Sequence, residues 1–401
     1  MNILVVCQYY YPEEFQVNSI CEELVSRGYS VTVLTGLPNY PTGVIPEEYS
    51  NGKRRNEIIN GVKIVRVWEI PRGKGIFNLG LNYVSYCLAA SMKAFNMKLN
   101  FDVVYVYQLS PILMAIPGVI IKALTKKKLY LYCCDLWPES LKVYRIDEGS
   151  IIFKVTSLIS KAIYKNCDYI GVQSKAFINY FNEKHNIDKS KLVYIPQFAE
   201  DTYLSEDFTV EQGKQMIDFV FLGNIGKIQN LDCTVAASEI LQQHTNDFRI
   251  HIVGDGSYLE ELKLLAQKSR AADKFIFYGR RPNADMAKFY KMADACLLTL
   301  AGDSMVGQTI PSKLQGYMAA GKPVIAAING PAKDVIEEAE CGLVVSAGDY
   351  VGFANAMKTF IFYEGCKNDF GKNGRKYFIK NFSKEKYIGD TLEIMEKLLK
   401  R

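Results

Sequence analysis

The feature that most constrains this chain is an alternation, kept up from end to end, of short apolar runs with longer segments of helical period. Apolar runs fall at residues 3–7, 30–35, 62–68, 103–107, 129–133, 169–172 and 192–195. Strands covered on both faces by crossover helices produce this pattern, so a parallel α/β sheet is predicted. A polar, acid-rich stretch at 200–215 interrupts it. The alternation then restarts at 219–223, 248–253, 275–278, 295–298, 323–326 and 342–345, and ends in a helical tail. At 401 residues the chain exceeds one core of ordinary size and fits two domains of about two hundred residues. The expected division is 1–199, 200–382 and the tail 383–401, each domain doubly wound.

Composition narrows the function classes. Hydrophobic content of 49% with 23% charge belongs to an ordinary globular chain rather than a disordered one. Ten cysteines are scattered without CxxC pairs, so buried reduced thiols are expected rather than a disulfide framework or zinc site. The net charge of +5 gives no nucleic-acid signal. Met1 leads straight into a strand without a signal-peptide pattern, which predicts a cytoplasmic protein.

Lys53-Arg54-Arg55, Lys63, Arg66, Arg72 and Lys74, then Lys126-Lys127-Lys128, are either solvated loop charges or an approach to an anionic membrane. Two uncharged stretches, 75–92 and 103–121, are interrupted by Asn78, Asn82 and Ser85 and by Gln108-Leu109-Ser110-Pro111, which disfavours spanning. Residues 150–166 set Lys154, Lys161 and Lys165 beside Ile151, Val155, Leu158, Ile159 and Ala162 on an amphipathic helix. Packing of its apolar side on the sheet is the expected role, and membrane docking is the alternative.

Several words carry chemistry. Gly307-Gln308-Thr309-Ile310-Pro311-Ser312-Lys313 reads as a helix start with Pro311 in the first turn, and a terminus of that kind attracts phosphate. The alternative is an ordinary capped helix with a solvated Lys313. Gly223-Asn224-Ile225-Gly226-Lys227 follows an apolar run, where glycine lets backbone approach a ligand. Gly254-Asp255-Gly256 and Gly279-Arg280-Arg281-Pro282 end two further strands, where nucleotide contacts are expected, although Asp255 also suits a helix cap. Asp135-Leu136-Trp137-Pro138-Glu139-Ser140 offers two carboxylates and an aromatic platform for sugar hydroxyls, or two helix-end acids. Glu13 and Glu14 follow the first strand in a turn that lacks glycine, which excludes a dinucleotide fingerprint. His185, His244 and His251 read as surface residues, none placed as a catalyst.

The words IPSK at 310–313 and AAGKPVIAA at 319–327, with GDG at 254–256 and GLVV at 342–345, resemble the retaining glycosyltransferases of family GT4 with the GT-B fold. Together with PNYPTG at 38–43 and DLWPES at 135–140, they are similar to bacterial N-acetyl-L-fucosamine transferases of O-antigen and capsule synthesis. The resemblance implies two Rossmann-like domains facing across a cleft, with the tail returning to the first. It implies a UDP-sugar donor, no metal or other cofactor, and a polyprenyl-diphosphate-linked saccharide acceptor at the inner face of the membrane.

By that resemblance, Gly223, Asn224, Lys227, Asp255, Gly256, Arg280, Gln308, Ile310, Pro311, Ser312 and Lys313 bind the donor. Asp135, Glu139, Lys313 and Glu13 carry the chemistry. The chain departs from the family where an arginine and a lysine are replaced by Asn224 and Gln229, leaving Lys227 or Lys313 to supply positive charge. It departs again where a glutamate pair is replaced by Gln308 and Gly316. Two alternatives stay open: a UDP-sugar epimerase of related fold, and a catalytically silent GT-B subunit.

Overall fold

The computed structural model describes residues 1–73, 75–96, 100–199, 201–208, 214–302, 310–363 and 367–400. Its contacts divide the chain into one unit of Met1–Ile195 with Ile388–Arg401 and a second of Pro196–Tyr387.

The first unit is built on eight strands: β1 Asn2–Val6, β2 Ser30–Thr35, β3 Asn56–Ile59, β4 Val62–Arg66, β5 Val103–Gln108, β6 Lys128–Cys133, β7 Tyr169–Val172 and β8 Leu192–Tyr194. Their order is β3-β4-β2-β1-β5-β6-β7-β8, parallel except for the β3–β4 hairpin. That edge hairpin is absent from the alternation read in the sequence. Its turn is Asn60-Gly61, both with positive φ, which suits the twist of a two-residue hairpin.

Strand β5 is buried along its whole length, as a central strand covered by helices on both faces must be. Registered pairs Tyr105–Tyr130 and Tyr107–Tyr132 stack between β5 and β6 at centroid distances of 5.2 and 5.6 Å.

The second unit holds β9 Ile217–Leu222, β10 Phe248–Val253, β11 Phe275–Gly279, β12 Ala295–Thr299, β13 Val324–Ala327 and β14 Gly342–Val345. All pair in parallel, in the order β11-β10-β9-β12-β13-β14. Alternate residues of β9 enter opposite cores, Val220 and Leu222 on one face, Phe219 and Phe221 on the other. The sequence of connections reverses between β9 and β12. In open α/β sheets a ligand crevice lies at such a reversal, outside the carboxyl ends of the strands.

Three readings are corrected here. His185 and His251 are buried, not at the surface. His251 bonds Asp218, whose carboxyl burial alone would raise, yet His251, Arg249 and Lys214 hold it well below the usual carboxylate range. Helix Ile151–Asn166 buries Phe153, Ser160, Ile163 and Tyr164 and leaves Ile151, Val155 and Leu158 exposed, so its expected packing side faces outward. Arg66 is enclosed, ion-paired with Glu57 and set over the Tyr49 ring, and is no surface charge. Nine described cysteines are all buried and free. Among the described residues no helix is long and apolar enough to cross a membrane.

Candidate functional site

Three chain turns converge at the carboxyl ends of β9, β10 and β11. Gly223 bonds Val253 O through its N–H, and Gly254 bonds Gly279 O, each at 2.9 Å. Gly254 has φ +143°, and a Cβ there would come within 1.8 Å of Gly223 O. A Cβ on Gly256 would meet Ile225 O at 2.2 Å. These glycines are therefore required by backbone packed on backbone. The turns enclose a cavity of about 560 Å³ lined by Gly223, Asn224, Asp255, Gly256, Arg280 and Arg281, among others. Asp255 accepts the N–H of Gly256 at 2.7 Å, while helix Leu259–Lys268 begins without a side-chain cap. Its expected capping role is thus replaced by closure of its own turn.

Lys313 reaches this place from helix Ser312–Ala319. Pro311 stands at the cap position, one residue before the expected first turn, and Ser312 opens the helix. Ile310 packs against the core beneath. The Lys313 ammonium lies 3.4 Å from Asn224 O and 4.8 Å from the centroid of the Phe221 ring. No carboxylate pairs with it among the described residues, and burial lowers its pKa to about 8. A partly buried cation at a helix start, with no carboxylate partner among the described residues, is suited to an anion. A second cavity of about 540 Å³ adjoins the same lysine, lined by Tyr203, Glu206, Ala287, Tyr290, Ser312 and Gly316 among others.

Lys227 is not part of this arrangement. It is exposed, pairs with Glu261 at 3.6 Å and covers the Tyr258 ring, so of the two lysines it is Lys313 that lines the second cavity. Gln229 spends its amide oxygen on Gly226 N–H at 2.9 Å, closing its own loop. The hydroxyl of Tyr290 occupies the space that a side chain at Gly316 would enter, 2.8 Å from an added Cβ. Gln308 lies outside the described residues.

In the first unit, Asp135 follows β6 and accepts Ser110 Oγ–H at 2.7 Å through Oδ2. Trp137 Nε1–H donates to Ser110 Oγ at 3.2 Å. Burial raises the Asp135 pKa, and the Ser110 bond opposes that rise. Oδ1 has no protein partner among the described residues. The six-residue turn Glu139–Tyr144 has no side-chain cap, so Asp135 does not serve as one. Glu139, by contrast, is buried: Tyr180 O–H donates to Oε1 at 3.0 Å and the Lys142 ammonium lies in ion-pair range of Oε2 at 2.6 Å.

Glu13 is likewise engaged. One carboxylate oxygen accepts the backbone N–H groups of Asn39 at 2.7 Å and Tyr40 at 2.5 Å, and burial raises its pKa to about 6. It pins the 39–40 loop. Glu13→Gln keeps an acceptor and removes a buried charge, so melting temperature and turnover are expected to hold. Glu13→Ala orphans two N–H groups and is expected to cost about 2 kcal/mol in denaturant unfolding. Loss of turnover in the glutamine variant would restore Glu13 as a proton acceptor.

Behind it, Glu69 is completely buried, accepting from Gln8 at 2.9 Å and Asn39 at 2.6 Å, with its pKa pushed up by burial. Arg72, grouped in the sequence with the loop charges, instead has its guanidinium 5.1 Å from the Tyr40 ring centroid, 5.7 Å from Tyr9 and 5.9 Å from Tyr83, and donates to the Tyr9 hydroxyl oxygen at 3.0 Å. Among the described residues no group of His, Cys, Asp and Glu has a metal-binding arrangement.

Residues 206–377, which include the whole lining of the first cavity and part of the second, match the family described as Glycosyl transferases group 1. That match is to the second unit, over less than half of the chain. The probable glycosyltransferase WbjE of Pseudomonas aeruginosa is 26% identical over 64% of this chain and 65% of its own length. The putative colanic acid biosynthesis glycosyl transferase WcaI of Escherichia coli is 22% identical over 80% of this chain and 82% of its own. Among solved structures, sucrose-phosphate synthase from Thermosynechococcus elongatus superposes with a TM-score of 0.71 over 99% of this chain and 98% of its own, at 18% identity. HepE from Anabaena, solved with UDP, gives 0.70 over 99% and 100%, at 14% identity. The fold is GT-B, two Rossmann-like α/β domains.

Proposed function

We propose that the chain is a retaining glycosyltransferase that moves a sugar from a UDP-sugar to a hydroxyl of a lipid-linked saccharide at the inner membrane surface during bacterial polysaccharide assembly. One observation carries this reading: the uncompensated ammonium of Lys313 at a helix start, beside Asn224 on the carboxyl edge of the β9–β12 reversal. It suits the diphosphate of a nucleotide sugar, whose charge grows as the glycosidic C–O bond breaks. Gly223 and the 254–256 turn leave backbone free to approach the phosphates, while Arg280 and Arg281 line the same cavity. The acceptor hydroxyl would attack on the side of the departing diphosphate and pass its proton to a phosphate oxygen. The C–O bond to the donor breaks, a new one forms, and no other reactant is needed. WcaI, named for colanic acid biosynthesis, and HepE, solved with UDP, support polysaccharide synthesis and a uridine donor as the first to test.

Calorimetry of the full chain with UDP, GDP and ADP tests the donor. UDP is expected to bind at least tenfold tighter than the others; equal affinities, or none, would overturn the uridine reading. A silent subunit is favoured only by the occupied places at Gln229 and Gly316, and turnover by the purified chain removes it. An epimerised UDP-sugar formed without acceptor would instead establish the epimerase.

A further inference from the structure

The first unit presents an apolar surface that its own core does not use. Helix Ile76–Asn96 buries Tyr86, Ala90 and Ala94 on one side, together with polar Asn82 and Ser85. Its other side exposes Phe77, Leu81, Val84, Leu88, Met92 and Phe95, spaced by three or four residues along a single stripe, with Phe77 75% and Phe95 64% exposed. Contiguous apolar exposure of this length marks a contact surface rather than ordinary scatter.

The surface continues onto neighbouring elements. Parallel connections from β4 to β5, β5 to β6 and β6 to β7 step across the sheet in one direction, so right-handed crossovers place their helices on one face. Helix Ile116–Thr125 packs against both Ile76–Asn96 and Ile151–Asn166. On the last of these Ile151 is 80% and Leu158 70% exposed.

Charge selects the occupant. None of the three helices contains an aspartate or glutamate, whereas they carry Lys93, Lys122, Lys154, Lys161 and Lys165, and Lys126 and Lys127 follow the second. Lys122 pairs with Asp168, while Lys93, Lys154, Lys161 and Lys165 make no ion pair among the described residues. By contrast helix Gln16–Ser26, whose β1-to-β2 connection steps the other way, holds Glu22 and Glu23 and no lysine. Helix Lys175–His185, the next on this face, adds Glu183 beside Lys175 and Lys184, so the charge of the face stays predominantly cationic. An apolar stripe in such company matches an anionic bilayer, where side chains enter the headgroup boundary while lysines meet lipid phosphates.

We propose that this helical layer docks the protein on an anionic membrane, with helix Ile76–Asn96 lying in the interface plane and Lys154, Lys161 and Lys165 holding lipid headgroups. The inference deepens the transferase reading, since it names the surface that brings a lipid-linked acceptor within reach.

Flotation of the full chain with vesicles of phosphatidylcholine alone, or mixed with phosphatidylglycerol, tests it. Wild type is expected to bind the mixed vesicles at least tenfold more than the neutral ones, and to release as salt rises. Leu88→Ser with Met92→Ser and Phe95→Ser, and separately Lys154→Gln with Lys161→Gln and Lys165→Gln, should each lower binding at least tenfold. These residues are exposed or half-exposed, and an unchanged melting temperature verifies folding. No preference for anionic vesicles would overturn the proposal, as would a dimer in sedimentation velocity that the serine variant dissociates, since a second copy would then cover the stripe. UDP calorimetry on the same samples separates the readings: UDP bound without vesicle binding ends the docking alone, and vesicle binding without UDP ends the transferase reading alone.

Discussion

Replacement of Lys313 by alanine is expected to weaken UDP binding about 10- to 150-fold at pH 7, the equivalent of one charge-assisted contact of about 1.5–3 kcal/mol. The ammonium has no carboxylate partner among the described residues, so its removal gives up only a 3.4 Å contact with Asn224 O and the Phe221 ring contact, and it relieves the burial of a charge. Stability should therefore hold or rise while affinity falls, a combination that a merely structural lysine would not give. The pH dependence supplies a second signature. Burial depresses the pKa to about 8, so the free protein loses the cation as pH rises through that value. Affinity should be level below it and then fall by up to about tenfold per pH unit above, because binding must recover a proton. Lys313→Arg, which stays protonated throughout, should flatten that profile. An alanine variant with unchanged affinity, or a wild-type profile level to pH 9.5, would remove Lys313 from the site.

What the sequence revealed and what it hid follow from how far apart the deciding atoms lie along the chain. Both parallel sheets were legible because doubly covered strands must be continuous apolar runs, and only the β3 edge escaped, being the mixed word Asn56-Glu57-Ile58-Ile59. Its turn Asn60-Gly61 was a local signal and could have been read. The choice between Lys227 and Lys313 was not local: Glu261, on the helix after β10, draws Lys227 outward, and only the fold brings Lys313 against Asn224. Likewise Glu139 and Asp135 stand four residues apart, yet Tyr180 engages one and Ser110 the other. Helix Ile151–Asn166 misled because it has apolar residues on two sides. Phe153, Ile163 and Tyr164 reach the core while Ile151, Val155 and Leu158 do not, and periodicity cannot phase a helix with two apolar sides.

Asp135→Asn is expected to lower turnover about a hundredfold or more while leaving UDP affinity and melting temperature unchanged. The isosteric amide can still accept from Ser110, so the chain of bonds from Trp137 through Ser110 to position 135 survives. What is lost is the charge shared with Oδ1, which has no partner among the described residues and is the oxygen available to draw on an acceptor hydroxyl. Because burial raises the Asp135 pKa, activity that needs the carboxylate should fail as pH drops through that raised value. Ser110 opposes the rise, so Ser110→Ala should push the acid limb of the pH–rate profile to higher pH with little change in the plateau. That displacement distinguishes a working carboxylate from a loop anchor, for which Ser110→Ala would change the melting temperature and leave the pH limb in place. Near-normal turnover in the asparagine variant would assign Asp135 to anchoring its loop through Ser110 and move the search for the acceptor's partner to Arg72 and its ring of tyrosines.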